Sequence, residues 1–322
     1  MNLPEYALLC RNNRCGLIDE EHYGIILRYQ NGLTDVIGRD NDYLFSLRSC
    51  MKPLQLSAIS EVIEAFRLTD KEIAVAAASH CGEDCHTEAV LSILNKAGLK
   101  EKNLLCPPQE PLSTIAKNKL IKLKKKPTAI YNNCSGKHAA ILAYCVLKGY
   151  DINNYNQIEH SVQKKIMNYV SNICEIKLNH CKIAQDGCTL PVLAMPIKNL
   201  AKGFLNLFVY ENSKIKKAIL KNPYYFGGKG RLDSEIVKAG NGNLVAKVGA
   251  GNICCVTDVK TKEVFIIKIA DSDNCTRGIV LLEILKRNNK ISEQEYIRLS
   301  KIFSTDITDE TGKIIGKTEF CF

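Results

Sequence analysis

Residues 244–269 read LVAKVGAGNICCVTDVKTKEVFIIKI, and residues 24–37 read GIILRYQNGLTDVI. Together these two stretches decide the fold. β-Branched runs at 244–248, 253–256 and 264–269 are separated by turn residues, and 258–262 reads as a hairpin loop. Near the N-terminus, apolar-rich runs at 24–30 and 33–37 flank Asn31-Gly32. Asn-Gly is the preferred type I′ hairpin turn, because both central positions need positive φ. Strands arranged as hairpins pair antiparallel, since parallel pairing needs a long crossover between strands.

The chain between these stretches reads as helical. Leu54, Ile59, Ile63 and Phe66 mark one apolar face of a long helical stretch. Thr69 and Glu72 form a capping box ahead of residues 73–78. Residues 87–97 end at Gly98 and residues 137–148 end at Gly149, glycine being the favoured residue just past a helix. Further helices are expected over 158–173 and 276–287. The order of strands, helical block, strands and helix lets both ends of the chain share one sheet. The expectation is an α/β fold of the α+β kind, an antiparallel sheet flanked by helices with an inserted all-α domain. Residues 1–58 and 190–322 form the split sheet domain, and residues 59–189 the helical one.

Composition agrees with a globular protein. The chain has 322 residues, 46% hydrophobic and 24% charged, which suits about two domains and a well-buried core. The net charge is +10, with much of the excess in KNKLIKLKKK at 117–126. That stretch reads as a solvated helix face; no nucleic-acid-binding signature accompanies it. The longest apolar runs fall far short of the ~18 residues a spanning helix needs. The N-terminus does not read as a signal peptide. A cytoplasmic protein is expected, with its 15 cysteines mostly free thiols.

Five strings could carry chemistry. Ser49-Cys50-Met51-Lys52-Pro53 places a serine and a lysine three apart, facing each other on a helix that Pro53 requires to begin close by. A neutral lysine can take the serine proton as the hydroxyl attacks a carbonyl. Pre-proline sterics pull Lys52 away from helical angles, against that reading. Lys247-Val248-Gly249 lies on a predicted strand, as the K-T-G of serine β-lactamases does beside their S-x-x-K. A second ammonium near Lys52 would lower its pKa. Ser79-His80-Cys81-Gly82-Glu83-Asp84-Cys85-His86 offers a second active-site hydroxyl or helix capping by Glu83 and Asp84. A zinc site of His80, Cys81, Cys85 and His86 is a third reading, although its spacing matches no common zinc pattern. Asn132-Asn133-Cys134-Ser135-Gly136-Lys137-His138 opens a helix but lacks the full phosphate-loop pattern, and Cys134 and Lys137 share a face. Asp186-Gly187-Cys188-Thr189-Leu190-Pro191 reads as a turn exposing Asp186 and Cys188, with Asp186 suited to a substrate ammonium or to turn capping.

In this order the strings resemble the rhizobial-type (class 3) L-asparaginases, serine–lysine amidohydrolases of the asparaginase II family. The matching residues are Arg48-Ser49-x-x-Lys52-Pro53, Ser79-His80-x-Gly82-Glu83-x-x-His86, Asn133-Cys134-Ser135-Gly136-Lys137-His138, Asp186-Gly187-Cys188-x-x-Pro191 and Lys247-x-Gly249-Ala250. Glu21-His22 adds an N-terminal element. The chain carries Gln109 where family members often carry a histidine, and Ala250-Gly251-Asn252 differs from common family versions.

The resemblance implies a fold similar to serine β-lactamases and glutaminases, a homodimer, and hydrolysis of L-asparagine to L-aspartate and ammonia. It implies Ser49 as nucleophile, Lys52 as its base, and Ser79 with Lys247 as a second serine–lysine pair. Arg48, His80 and Asp186 would fix the charged ends of the substrate. Cys134, Lys137 and Cys188 would hold one zinc ion per subunit. Two rival readings remain: a glutaminase or β-lactam-directed hydrolase on the same scaffold, and a non-catalytic zinc-binding protein. No partner beyond the small substrate is expected, neither nucleic acid nor membrane.

Overall fold

The computed structural model describes residues 3–211 and 213–322. In chain order the strands are β1 (Ala7–Arg14), β2 (Leu17–Gln30), β3 (Leu33–Ile37), β4 (Phe45–Ser46), β5 (Lys182–Gln185), β6 (Pro191–Met195), β7 (Leu244–Gly249), β8 (Ile253–Asp258), β9 (Glu263–Ile269), β10 (Asp306–Thr308) and β11 (Ile314–Phe320). The main sheet runs β10-β11-β1-β2-β9-β8-β7, with β3 paired to β2 off this path. Every pairing in it is antiparallel. A small second sheet runs β4-β6-β5.

The N-terminal hairpin meets the C-terminal meander in register, from Gly24 opposite Ile269 to Gln30 opposite Glu263. Asn31 and Gly32 both have positive φ, as the hairpin turn requires. Every residue of β7 and β8 is buried. Because successive side chains point to opposite faces, both faces of this half of the sheet are covered. That explains why these strands read as continuous apolar runs. The helix Ile197–Leu205 packs on β2, β8 and β9, and the helix Asn274–Arg287 on β1 and β9.

Between β4 and β6 lie the helices Lys52–Ala58, Glu61–Ala65, Asp70–Ala76, Asp84–Lys96, Thr114–Lys122, Ser135–Lys148 and Ser161–Ile173. The capping box of Thr69 and Glu72 is formed, and Gly149 closes its helix in the left-handed conformation. The single helix expected through Phe66 is instead two short ones. Leu54, Ile59 and Ile63 are all buried, but the five-residue step from 54 to 59 does not fit a 3.6-residue period. The chain takes up the slip at Ile59, which leaves helical angles.

The basic stretch forms the helix Thr114–Lys122, buried only at Ala116 and Leu120. Lys117 pairs with Glu110, and Lys119 with Asp84. Among the described residues no helix is long and apolar enough to cross a membrane.

One close contact sets the spacing of the helical block. A Cβ on Gly136 would overlap the carbonyl oxygen of Val75 and sit 2.6 Å from its Cγ1. Only glycine lets the helices Asp70–Ala76 and Ser135–Lys148 approach this closely. Gly136→Ala should therefore cost about 1–3 kcal/mol of stability. Urea unfolding checks this, and an unchanged midpoint would contradict it.

Candidate active site

The site is built around a 3-10 turn, Arg48–Met51, that leads straight into the helix Lys52–Ala58. The Leu47 amide donates to Leu193 O of β6 (3.0 Å), and the buried Cys50 thiol donates to Lys247 O of β7 (3.2 Å). A Cβ on Gly249 would lie 3.1 Å from Leu47 O and 3.3 Å from Cys50 N. Glycine at 249 thus lets the terminal strand of the sheet press against the turn that carries Ser49. Pro53 falls in the first helical turn, where a missing N–H costs nothing. Lys52 adopts helical angles despite preceding proline. Arg48 has φ +46°, a left-handed conformation unusual for a side chain of this size. Strain of this kind concentrates at functional sites.

Lys52 and Lys247 are both fully buried and converge on one hydroxyl. Lys52 Nζ lies 2.7 Å from Ala78 O, 3.1 Å from Asn133 O and 2.9 Å from Ser79 Oγ. Lys247 Nζ lies 3.0 Å from Ser79 Oγ, 2.9 Å from Val248 O and 3.1 Å from Asp233 Oδ2. Burial pushes the Lys52 pKa down to about 8; the charges of Lys137 and Lys247 add to this and those of Cys134 and Cys188 oppose it.

As an ammonium Lys52 donates to Ala78 O, Asn133 O and Ser79 Oγ, and the same contacts also serve the neutral amine. A neutral lysine has two N–H groups, which Ala78 O and Asn133 O can accept, and one lone pair, which faces Ser79. Lys247, beside the carboxylate of Asp233, is the ammonium and donates to Ser79. With Lys52 neutral, the Ser79 hydroxyl donates to it and accepts from Lys247; with Lys52 charged, Ser79 Oγ accepts from both amines, and either is within the capacity of a hydroxyl.

The structure therefore brings Lys52, Ser79 and Lys247 together. Among the described residues no side-chain hydrogen bond joins Ser49 to Lys52; their one link is the Lys52 amide donating to Ser49 O. Ser49 instead lines a pocket of about 340 Å3 with Arg48, the 107–109 and 132–134 segments, the 186–188 turn and Ala250. Ser79 is not on this wall and is 3% exposed. Gln109 accepts from the Asn133 amide (3.1 Å), so the residue replacing the family's histidine supports the backbone that touches Lys52.

The 186–188 turn departs from expectation. It was expected to expose Asp186 and Cys188, but Cys188 is buried and the Asp186 side chain is 9% exposed. Thr189 takes φ +79°, and the Thr189 amide bonds back to Asp186 O (2.9 Å). This folds the turn inward. Arg48 Nε donates to Asp186 Oδ1 (2.7 Å). Burial opposes ionisation of Asp186, but Lys137 and Arg48 outweigh it and hold the carboxyl below its ordinary range.

Beneath the turn, Lys137 Nζ lies 3.4 Å from Cys188 Sγ. Donor atoms of Cys134, Asp186 and Cys188 all lie within 4.8 Å of one another. The hydrogen bond from Cys134 lowers the Cys188 pKa to about 5, with Lys137 assisting and burial opposing. The same bond and burial drive Cys134 up. Burial would lower Lys137, but Cys188, Cys134 and Asp186 raise it on balance. A thiolate beside a second thiol and a carboxylate is a donor set that fits zinc. Lys137 must lose a proton before it can join that set.

His80 lies elsewhere. It is fully buried, and burial, then His86 and Lys52, hold it neutral, well below the usual histidine range. Its Nδ1 accepts from the Gly82 amide (3.2 Å), which leaves Nε2–H to donate to Ser135 Oγ (2.9 Å). Both nitrogens are occupied in bracing the Ser79 segment against the helix Ser135–Lys148.

Sequence reasoning missed Asp233. It is fully buried in the first turn of the helix Leu232–Ala239. The available signal was the run Gly227-Gly228-Lys229-Gly230 just ahead of it. A Cβ on Gly227 would sit 2.7 Å from Asp233 Oδ1.

The family model described as L-asparaginase II matches residues 11–320 of the chain. No curated protein matches it.

The buried ion pair generates a prediction. Asp233→Ala leaves the Lys247 charge without its counter-ion and should cost about 3–5 kcal/mol. The double variant Asp233→Ala/Lys247→Met should recover much of that loss, because no bare charge remains. Urea unfolding of both variants decides, and a single variant as stable as the parent would contradict the pairing.

Proposed function

The chain belongs to the L-asparaginase II family and is an amidohydrolase that converts L-asparagine to L-aspartate and ammonia, and we propose that it works through an acyl-enzyme on Ser49. The observation that carries this assignment is that Ser49 lines the pocket while Ser79 lies behind it, tied to both lysines.

Ser49 Oγ attacks the side-chain carboxamide carbon. Lys52, its pKa brought down to about 8 by burial and neighbouring positive charge, takes the proton in its neutral form. The Cys50 amide is taken by Leu47 O and the Lys52 amide by Ser49 O; the Ser49 amide, with no acceptor among the described residues, is the one suited to the developing oxyanion. Ser79, held by both lysines, is positioned to return a proton to the departing ammonia. Water then attacks the ester and frees Ser49. A small polar substrate offers little apolar area, so ionic groups must hold it. Arg48 faces the α-carboxylate and Asp186 the α-ammonium. His80 acts through the packing it maintains. Cys134, Lys137 and Cys188 would hold zinc beside the pocket, with Asp186 Oδ within reach. The ion would supply a Lewis acid there.

The finer architecture belongs to the same proposal. A serine β-lactamase-like arrangement is supported by Lys247-Val248-Gly249 on the terminal strand, pressed against the Ser49 turn. The division into residues 1–58 plus 190–322 and residues 59–189 follows that reading, with the β5–β6 hairpin at the junction. A homodimer in the cytoplasm follows from the family resemblance and from 15 unpaired cysteines.

A second reading makes Ser79 the nucleophile, favoured by its 2.9 Å contact with Lys52. Two variants separate the readings. Ser49→Ala should lower ammonia release from L-asparagine by at least ~10³-fold with the fold intact. Ser79→Ala should still give a burst of acyl-enzyme, measured by mass spectrometry of the quenched reaction. The opposite pattern would assign the attack to Ser79.

The acid limb of the rate profile is also set. Protonated Lys52 cannot accept a proton, and the neutral fraction grows as pH rises through about 8. Below that point kcat/KM should fall by about tenfold per pH unit, and above it kcat/KM should level off. A profile flat from pH 6.5 to 9.5 would contradict the assignment of Lys52.

A further inference from the structure

A second cluster of sulfur, nitrogen and oxygen donors lies beside His80, whose ring stacks on that of His86. Cys81 is 3% exposed and His86 is fully buried. Cys81 Sγ lies 3.3 Å from Glu83 Oε1 and 3.9 Å from His86 Nδ1. Cys85 Sγ lies 3.6 Å from the same Nδ1. Donor atoms of Cys81, Glu83 and His86 fall within 4.8 Å of one another. A tetrahedral zinc, with Zn–S about 2.3 Å and Zn–N about 2.0 Å, holds its sulfur and nitrogen donors about 3.5 Å apart. Cys81, Glu83 and His86 already lie near these spacings, while Cys85 Sγ meets them only at His86 Nδ1.

The surroundings orient His86 and Glu83 toward Cys81. His86 Nε2 lies 3.0 Å from Tyr224 O. A carbonyl can only accept, so Nε2 carries the proton and Nδ1 presents its lone pair to both thiols. The Tyr224 hydroxyl donates to Glu83 Oε2, which leaves Oε1 turned toward Cys81. Ligating histidines and carboxylates are commonly steered by outer partners of this kind. Gly228 faces Cys81 so closely that a Cβ there would overlap the sulfur.

The sequence allowed a zinc site of His80, Cys81, Cys85 and His86. The structure removes His80, whose nitrogens are both occupied, and brings in Glu83. Glu83 occupies the N-cap position without making a side-chain cap bond. Both thiols fall at positions that the matched family string leaves open.

We propose that Cys81, Glu83, Cys85 and His86 form a zinc site separate from the Cys134–Cys188 cluster. Cys81, Glu83 and His86 are assembled, and rotation of the Cys85 side chain about its Cα–Cβ bond supplies the fourth donor, which closes the coordination and marks a structural rather than a catalytic ion. The ion joins the Ser79–Glu83 segment to the helix Asp84–Lys96, and through Tyr224 to the helix Pro223–Phe226. It is therefore a clamp behind Ser79. Binding releases the protons of both thiols to solvent and changes no oxidation state.

The test is metal content, which does not depend on the asparaginase assignment. The full chain is loaded with zinc, desalted and measured for zinc per chain, beside Cys81→Ser/Cys85→Ser and Cys134→Ser/Cys188→Ser. The first double variant should lose one equivalent that the second retains. Cobalt in place of zinc should show a thiolate charge-transfer band that survives in the Cys134→Ser/Cys188→Ser protein and vanishes in the other. Glu83→Gln, a milder change should the double variant fail to fold, should weaken this equivalent by at least ~10-fold in a chelator competition. Zinc content and cobalt band unchanged by Cys81→Ser/Cys85→Ser, or unchanged affinity in Glu83→Gln, would overturn the proposal.

Discussion

The hydroxyl of Ser79 sits between two buried lysine amines, 2.9 Å from one and 3.0 Å from the other. Two ammonium groups in so small a volume without water would repel strongly, and each would carry its own desolvation cost. The structure resolves this asymmetrically. Lys247 has the carboxylate of Asp233 and remains charged. Lys52 has only carbonyls and a hydroxyl, so losing its proton is the less costly way to relieve the crowding. That Lys52 is the lysine able to give up its proton near pH 8 follows from which lysine has the carboxylate.

Much of the remaining architecture can be read as what that triad needs. Lys52 belongs to the turn of Ser49, Ser79 follows the helix Asp70–Ala76, and Lys247 lies on the terminal strand of the sheet. Each contact that fixes their separation is unusually close. Gly249 admits the Leu47 backbone, and Gly136 admits Val75. Arg48 and Thr189, both with positive φ, turn the two walls of the pocket toward each other. Their ion-pair geometry follows, with Arg48 reaching Asp186 across the pocket. The strain is local and is offset by packing in the helices and strands on either side.

The strands richest in β-branched residues were legible to within two residues, because β7, β8 and β9 are buried on both faces and carry an uninterrupted apolar signal. The Asn31-Gly32 turn and the Thr69–Glu72 capping box were legible for a local reason: each depends only on residues a few positions apart. β1 and β11 were not, since their residues are polar and half-exposed, and the turn joining β1 to β2 uses Cys15-Gly16 in place of the usual Asn-Gly. The break at Ile59 was visible only as an irregular step in the apolar spacing. At the site, residue types at fixed spacing named Ser49, Lys52, Ser79 and Lys247. Which serine Lys52 would touch was not visible, because Ser79 reaches it from the segment that follows a different helix, Asp70–Ala76. Asp233 stayed hidden for the same reason, as did the inward fold of the Asp186–Cys188 turn.

The lowered pKa of Lys52 is the claim on which the chemistry rests, and titrating it directly is the most decisive measurement. Lysine side chains labelled with nitrogen-15 report their protonation by NMR, and a Lys52→Met variant identifies the signal. The account predicts a midpoint near 8 for Lys52. A midpoint near the ordinary lysine value of 10.5 would mean that Lys52 is an ammonium at working pH, and would contradict its role as the base.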